Sequence, residues 1–353
     1  MTGAAQVLVL GAGPAGAAAA LALVRAGVDG VCLVDDARGR GPVTIGETIP
    51  PDARRLLDRL GVLQAFLDDG HERCLGSCSA WGSDELGYND FLLDPQGSGW
   101  HLDRSRFDAL LRRHARDAGV TVLDAPGAAA ADARFVVDAT GRASAFARRC
   151  GARQCPLDRL TFVYGFFDTA GAVSRSRLTL LEAVRDGWWY AAALPGERLA
   201  VAFAGDAEHV RSAGLGRDGR WLRAALATRH LARRLDGCRF LAGSLISRVA
   251  ASFLLDRVSG PRWLAIGDAA ACFDPLAAQG IYKAIADGLD GAERIASALA
   301  TGGDLAGDYD QAARARFADY LVNRNYFYGL ERRWPGSAFW QRRQARLELP
   351  AAA

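Results

Sequence analysis

The chain has 353 residues, half of them hydrophobic, and a formal net charge of +3. That length allows two closely packed domains around a large core, and the mixed charges include no basic run of the kind that binds polyanions, so nucleic acid is not an expected partner. No apolar stretch reaches the roughly 20 residues needed to span a bilayer, and no basic leader precedes the first strand, so a cytoplasmic protein with no membrane partner is expected. Seven cysteines at irregular spacings suit neither a secreted disulfide framework nor paired zinc knuckles, so reduced thiols are expected. His71, Cys74 and Cys78 are the nearest thing to a metal cluster, but a second ligand pair is missing and no metal is expected.

Val7-Leu8-Val9-Leu10 reads as a short buried strand, followed at once by Gly11-Ala12-Gly13-Pro14-Ala15-Gly16 and an Ala/Leu-rich helix ending near Arg25. In a strand-turn-helix of this form Gly11 permits the turn. Gly13 lets backbone approach a pyrophosphate, and Gly16 lets the helix close on the strand, with helix N–H groups facing the anion. Pro14 and Ala15 fall within the same loop. A second strand, Val31 to Val34, ends at Asp35 with Asp36 beside it, where a carboxylate can accept from both hydroxyls of an unphosphorylated ribose. A second glycine match, Gly214 to Gly219, follows polar residues instead of a strand and is dismissed.

From Arg104 a helix is expected with Ser105 as its N-cap and Phe107, Leu110, Leu111 and His114 on one face. His114 is given no role. Phe135 to Asp138 is a strand running into Ala139-Thr140-Gly141-Arg142. Thr161–Phe167, Leu178–Val184, Trp188–Leu194 and Leu199–Ala204 alternate as strands of an antiparallel sheet, so that Trp188, Trp189 and Tyr190 are candidates for an aromatic substrate pocket. Helices are expected over Gly219–Leu235, Ala277–Leu299 and Asp308–Trp334, the last carrying Tyr320, Tyr326, Phe327 and Tyr328 over the substrate side. Before that last helix, Trp263 to Ile266 is a buried strand entering Gly267-Asp268, and Asp274-Pro275-Leu276 with Gln279-Gly280-Ile281 opens a further helix. A strand-end carboxylate such as Asp268 suits a polyol. Amides at a helix N-terminus suit negative charge on a reduced flavin, which favours FAD over NAD.

The Gly267-Asp268 to Asp274-Pro275 pattern, the Ala139-Thr140-Gly141 element and the Arg104, Phe107, Asp108, Leu111 spacing resemble p-hydroxybenzoate-hydroxylase-like FAD-dependent oxidoreductases. Gly46-Glu47-Thr48, Trp100-His101-Leu102-Asp103-Arg104 and the closing Glu331-Arg332-Arg333-Trp334-Pro335 with Phe339-Trp340 resemble the flavin halogenase and LodB-like branch of that superfamily. The resemblance implies an α/β fold: a Rossmann-like FAD domain with a parallel sheet, an interleaved antiparallel substrate domain and C-terminal helices. The expected division places residues 1–80, 101–158 and 256–300 in the FAD domain, 81–100 and 159–255 in the substrate domain, and 301–353 in the helical region. It also implies FAD contacts from Glu47, Thr48, Arg104, Thr140, Gly141, Asp268 and Pro275.

LodB-like proteins oxygenate a tryptophan of a partner polypeptide. The expected function is accordingly an FAD monooxygenase that hydroxylates an electron-rich aromatic, a small molecule or a peptide tryptophan, with O2 as co-substrate and through a flavin C4a-hydroperoxide. Glu47 and His101 are the candidate acid–base residues. With no second nucleotide fingerprint, NAD(P)H docks transiently or a separate reductase supplies electrons. Tryptophan halogenases use a lysine soon after the Gly-Glu motif, but the first lysine here is Lys283, and Trp188-Trp189-Tyr190 matches their tryptophan motif imperfectly. Halogenation is therefore an alternative, together with non-oxygenating oxidation or reduction and a non-catalytic flavin-bound accessory. The interval from Val122 to Phe135 is short for the meander such proteins insert there.

Overall fold

The first strand, Val7–Leu10, is almost wholly buried, as befits the middle of a parallel sheet covered on both faces. A computed structural model describes residues 5–36, 47–125, 133–173, 175–302 and 306–349; Gly46 and residues 126–132 of the short interval lie outside them. Six strands form the nucleotide-domain sheet in the order Ser259–Gly260, Trp263–Ala265, Phe135–Asp138, Val7–Leu10, Val31–Val34 and Thr121–Leu123. All pairs are parallel except the Ser259–Gly260 hairpin. Helix Pro14–Arg25 leaves this sheet and packs against Gly280–Thr301. The approach is close enough that a Cβ on Gly288 would lie 2.7 Å from the Ala15 carbonyl oxygen.

A second sheet of eight strands runs Arg239–Phe240, Leu160–Asp168, Arg198–Asp206, Gly187–Leu194, Leu178–Val184, Gly76–Ala80 and Gly87–Asp90, with Ile246–Val249 also pairing with Leu160–Asp168. Its central four strands match the expected ones and are antiparallel. Gly76–Ala80 is an addition: it pairs in parallel with Leu178–Val184, so this sheet draws on residues before 80, where the expected division fell. One face carries Val163, Trp189, Val201 and Phe203, which pack with Trp221 and Leu231 of two covering helices. The opposite face carries Phe162, Tyr164, Trp188, Ala202 and Ala204 in a cluster with Tyr328 and Trp340.

Three expected helix boundaries shift for physical reasons. The segment Gly219–Leu235 is two helices, Asp218–Leu226 and His230–Arg234, because the buried Glu182 carboxylate accepts the amides of Arg229 (2.8 Å), His230 (3.0 Å) and Leu231 (2.7 Å) and so caps a new start. The Arg104–Asp117 helix is capped by Asp103, whose side chain accepts from the Arg106 amide, and not by Ser105. The last long helix spans Ala306–Leu330 and stops before the Glu331–Pro335 segment, after which Ala338–Gln344 is a separate helix. Among the described residues no helix is long and apolar enough to cross a membrane.

Replacing Glu182 by Ala strands three amide donors beside a buried strand. The expected cost is about 3 kcal/mol in urea unfolding, with Glu182→Gln recovering part of it.

Candidate active site

A cleft of about 360 Å³ opens where the two sheets face each other. Its nucleotide side is built from the Gly11–Gly16 turn. Gly11 holds φ +105°, a conformation open to glycine, and a Cβ on Gly16 would fall 1.9 Å from the Gly11 carbonyl oxygen. Gly13 by contrast has nothing within 4 Å of where its Cβ would stand, and with Pro14 and Ala15 it lines the cleft. Asp35 ends the Val31–Val34 strand and pairs with Arg112 at 3.5 Å, with Asp36 exposed next to it. At the other end Asp268, Pro275, Gln279, Gly280 and Ile281 line the cleft, and Gly280 again has nothing within 4 Å of its Cβ position. These last three residues stand at the start of the 22-residue helix Gly280–Thr301, whose first amides have no intrahelical acceptor. An open glycine cradle, a carboxylate at each end and a helix N-terminus between them fit the diphosphate, ribose, ribityl and ring portions of FAD.

The substrate side is the aromatic face of the large sheet, and its register explains the room it leaves. Phe162 pairs with Ala204, which pairs with Trp188; Tyr164 pairs with Ala202, which pairs with Tyr190. Each row reads aromatic, alanine, aromatic: across Ala204 the Phe162 and Trp188 rings meet edge-to-face with centroids 5.1 Å apart, whereas across Ala202 the Tyr164 and Tyr190 rings stand apart. Phe162, Tyr164, Trp188 and Tyr190 all line the cleft, joined by Phe273, Arg142, Arg248 and Val249. Trp189 alternates to the other face, where it packs edge-on to Trp221 with ring centroids 5.2 Å apart and plays no part in the cleft.

Glu47 and Thr48 enter from the short strand Thr48–Ile49 and meet Tyr190: Thr48 Oγ1 lies 2.9 Å from the tyrosine hydroxyl, which donates to Glu47 Oε2 at 3.4 Å. Burial, reinforced by the Glu47 charge, holds the Tyr190 hydroxyl well above the usual tyrosine range, so it keeps its proton and serves as donor while Glu47 is the acceptor. Arg104 also lines the cleft and pairs with Asp108 one turn on at 3.3 Å.

His101 is not in the cleft. It is the last residue of the Gly99–His101 strand and fully buried, its Nε2 lies 3.0 Å from Thr179 Oγ1, and its Nδ1 has no hydrogen-bond partner among the described residues. Burial, aided by Arg234, lowers its pKa to about 3, so it is a neutral core residue at working pH and the expected acid–base role does not fit its position. Thr140 and Gly141 part in the same way. The Thr140 hydroxyl donates to Asp138 at 2.6 Å and accepts from the Ala145 amide at 2.8 Å, bracing the turn, while Gly141 reaches the cleft. Gly267 is buried, its amide donating to Asp287, and it positions Asp268 beside it. His71 accepts from the Asp103 amide, Cys74 faces Thr179 and Cys78 lies in the core, so these side chains turn to different neighbours.

Asp274, just before Pro275, is buried and accepts from Tyr328 Oη at 2.8 Å and the Leu276 amide at 2.9 Å. Tyr328 in turn accepts from the Trp188 indole N–H at 3.2 Å. Tyr320 of the same helix stacks on Phe273 at 4.2 Å and accepts from the Asp274 amide. Tyr326 and Phe327 point to solvent instead. Lys283, the single lysine, is buried with Nζ bonded to the Gly267 carbonyl oxygen and to Asp287.

Comparison with known proteins agrees with this arrangement. Residues 4–134 match the FAD binding domain family model. The chain is 27% identical to LodB of Marinomonas mediterranea, described as an FAD-dependent oxidoreductase, over 99% of each chain. This chain is an FAD-dependent oxidoreductase. In fold it is similar to the myxobacterial chondrochloren halogenase CndH, with TM-score 0.83 at 21% identity over 96% of this chain and 85% of the other. It is also similar to the peptidyl tryptophan dihydroxylase QhpG, with TM-score 0.72 at 23% identity over 98% of this chain and 80% of the other.

Two outcomes are expected. Gly13→Asp sets a carboxylate against the diphosphate in open space, so melting of the FAD-free protein is unchanged while FAD affinity falls about 100-fold by fluorescence titration. The His101 imidazole is protonated in the unfolded chain below pH ~6.5 but not in the folded one above about 3. Its contribution is therefore intact above neutrality and is lost by about 1.4 kcal/mol per pH unit as pH falls through that window. Denaturation of His101→Asn at pH 7.5 and 5 is expected to show a shallower pH slope than the parent.

Proposed function

We propose that this oxidoreductase is a monooxygenase that inserts oxygen into an electron-rich aromatic ring, a tryptophan side chain of a peptide or protein partner. The observation that carries the reading is the aromatic, alanine, aromatic face of the sheet, closed at one edge by the Glu47–Tyr190–Thr48 group and facing the Asp268 and Pro275–Ile281 wall. Bound FAD, reduced by NAD(P)H or by a separate reductase, supplies the activation of O2. The chain's own residues do the rest. Phe162, Trp188 and Tyr190 hold a flat apolar ring and keep water from it. Glu47 accepts a ring N–H or O–H and takes the proton as the ring becomes electron-poor, while Tyr190 holds the carboxylate in place. The amides at Gln279 to Ile281 steady negative charge at the opposite wall. The likeness to LodB along the full chain and to a peptidyl tryptophan dihydroxylase in fold supports a peptide-borne tryptophan over a free small aromatic.

Halogenation is the second reading, favoured by the fold shared with CndH. Against it, the one lysine is locked between Gly267 and Asp287 and does not line the cleft. The test uses the FAD-loaded protein with NADPH and a flavin reductase, isotopically labelled O2, chloride, and a tryptophan-containing peptide, read by mass spectrometry. Labelled oxygen in the peptide is expected. Chlorine in its place overturns the reading in favour of the second, and an unmodified peptide alongside an oxygenated free indole overturns the peptide assignment. Glu47→Gln is expected to lower kcat about 100-fold when measured at saturating FAD.

A further inference from the structure

The strand Ile246–Val249 is an edge. Among the described residues it pairs only with Leu160–Asp168, through Tyr164 opposite Ile246 and Phe162 opposite Arg248. The Ala250 amide donates to the Leu160 carbonyl oxygen at 2.8 Å, which sets the phase of the ladder: Ala250, Arg248 and Ile246 direct their backbone groups inward, and Ser247 and Val249 direct theirs outward. Among the described residues no group bonds the Val249 amide or carbonyl, while the Ser247 carbonyl accepts from its neighbour Arg248 at 3.1 Å. Val249 is 63% exposed, and the Arg248 guanidinium has no carboxylate partner among the described residues. Arg248, Val249 and Ala250 also line the cleft beside Phe162 and Tyr164. An open strand edge is thus continuous with the wall of the aromatic pocket.

We propose that this edge docks an extended, acidic peptide segment as an added strand. The outward amide and carbonyl of Val249 hold the peptide's main chain, one aromatic side chain turns into the cleft, and an acidic residue of the peptide meets Arg248. Strand alternation allows this division, since side chains two apart fall on one face. The occupant is a peptide and not a second copy of this chain, because pairing two such edges about a two-fold axis brings Arg248 toward its own counterpart. The inference rests on the monooxygenase reading for the identity of the aromatic, and on the edge alone for the docking.

The probe is a fluorescently labelled synthetic ten-residue peptide of threonine and valine with one tryptophan and an aspartate two positions from it, titrated by anisotropy into the FAD-loaded full chain. Val249→Pro removes the outward amide without removing a ladder bond, because proline is tolerated where the N–H of an edge strand faces solvent. It is expected to weaken binding about tenfold or more, and Val249→Ala, which keeps the amide, about threefold or less. Arg248→Glu is expected to weaken the aspartate peptide about tenfold and to bind better the same peptide with lysine in place of aspartate. FAD content and melting temperature report that each variant is folded, and the charge swap stands by itself if the proline variant is not. Parent-like binding by Val249→Pro, or no charge swap at Arg248, overturns the docking. So does a dimer in gel filtration that the peptide leaves intact. Edge-dependent binding of a peptide that is never oxygenated upholds the docking and sinks the monooxygenase reading, and oxygenation indifferent to both variants does the reverse.

Discussion

Taking a carboxylate out of water costs several kcal/mol unless donors replace the lost hydration, and at Asp274 they come from different parts of the chain. The Leu276 amide supplies one from the turn itself, Tyr328 another from the Ala306–Leu330 helix, and the Arg324 guanidinium stands 3.9 Å away. Burial raises the pKa of this carboxyl while Arg324 opposes the rise. Removing any one partner leaves a charge stranded in the interior, so the turn that presents Pro275 cannot shift without the C-terminal helix shifting too. Through Tyr328 the same group also holds the Trp188 indole, and with it the position of the large sheet. Nucleotide domain, substrate sheet and C-terminal region are thereby locked into one relative placement. Glu331 adds a second tie on the far side, accepting from the Gly82 amide and from Arg333.

The two faces of the large sheet show how one strand serves two ends. In Arg198–Asp206 the residues Val201 and Phe203 fill the space under Trp221, and on the opposite face Ala204 lies beneath the Phe162–Trp188 ring contact while Ala202 stands between Tyr164 and Tyr190. Close packing on one side makes the sheet stiff. Ala202 on the other turns that stiffness into a fixed gap between Tyr164 and Tyr190. A larger residue at Ala202 would bridge Tyr164 and Tyr190 across the gap and close it.

The nucleotide side of the cleft was legible because each of its requirements is local: a glycine where φ is positive at Gly11, a glycine where helix meets strand at Gly16, an Asp-Pro turn before a helix. The central strands were legible for the same reason, since alternation is a short-range pattern. The rest depends on partners distant in sequence. Glu182 breaks a helix 47 residues away, which no window of sequence displays. His101 shares a motif with cleft residues, yet it sits on a strand whose side chain turns into the core against Thr179. Trp189 stands between two pocket residues and faces away, a difference of one residue that only the pairing decides. Phe162 and Tyr164 face the cleft opposite Ala204 and Ala202, a pairing between strands about 40 residues apart that no window of sequence displays.

Lys283 has a consequence outside catalysis. Its ammonium group is covered by the Gly267 carbonyl and the Asp287 carboxylate, and with no other lysine the surface offers no side-chain amine. Arginine carries the positive charge everywhere else, and a guanidinium does not acylate or condense with carbonyl compounds as an amine does. The folded chain is therefore a poor target for lysine acetylation, isopeptide tagging and amine-directed cross-linking, and reactive aldehydes or quinones find no lysine on its outside to capture.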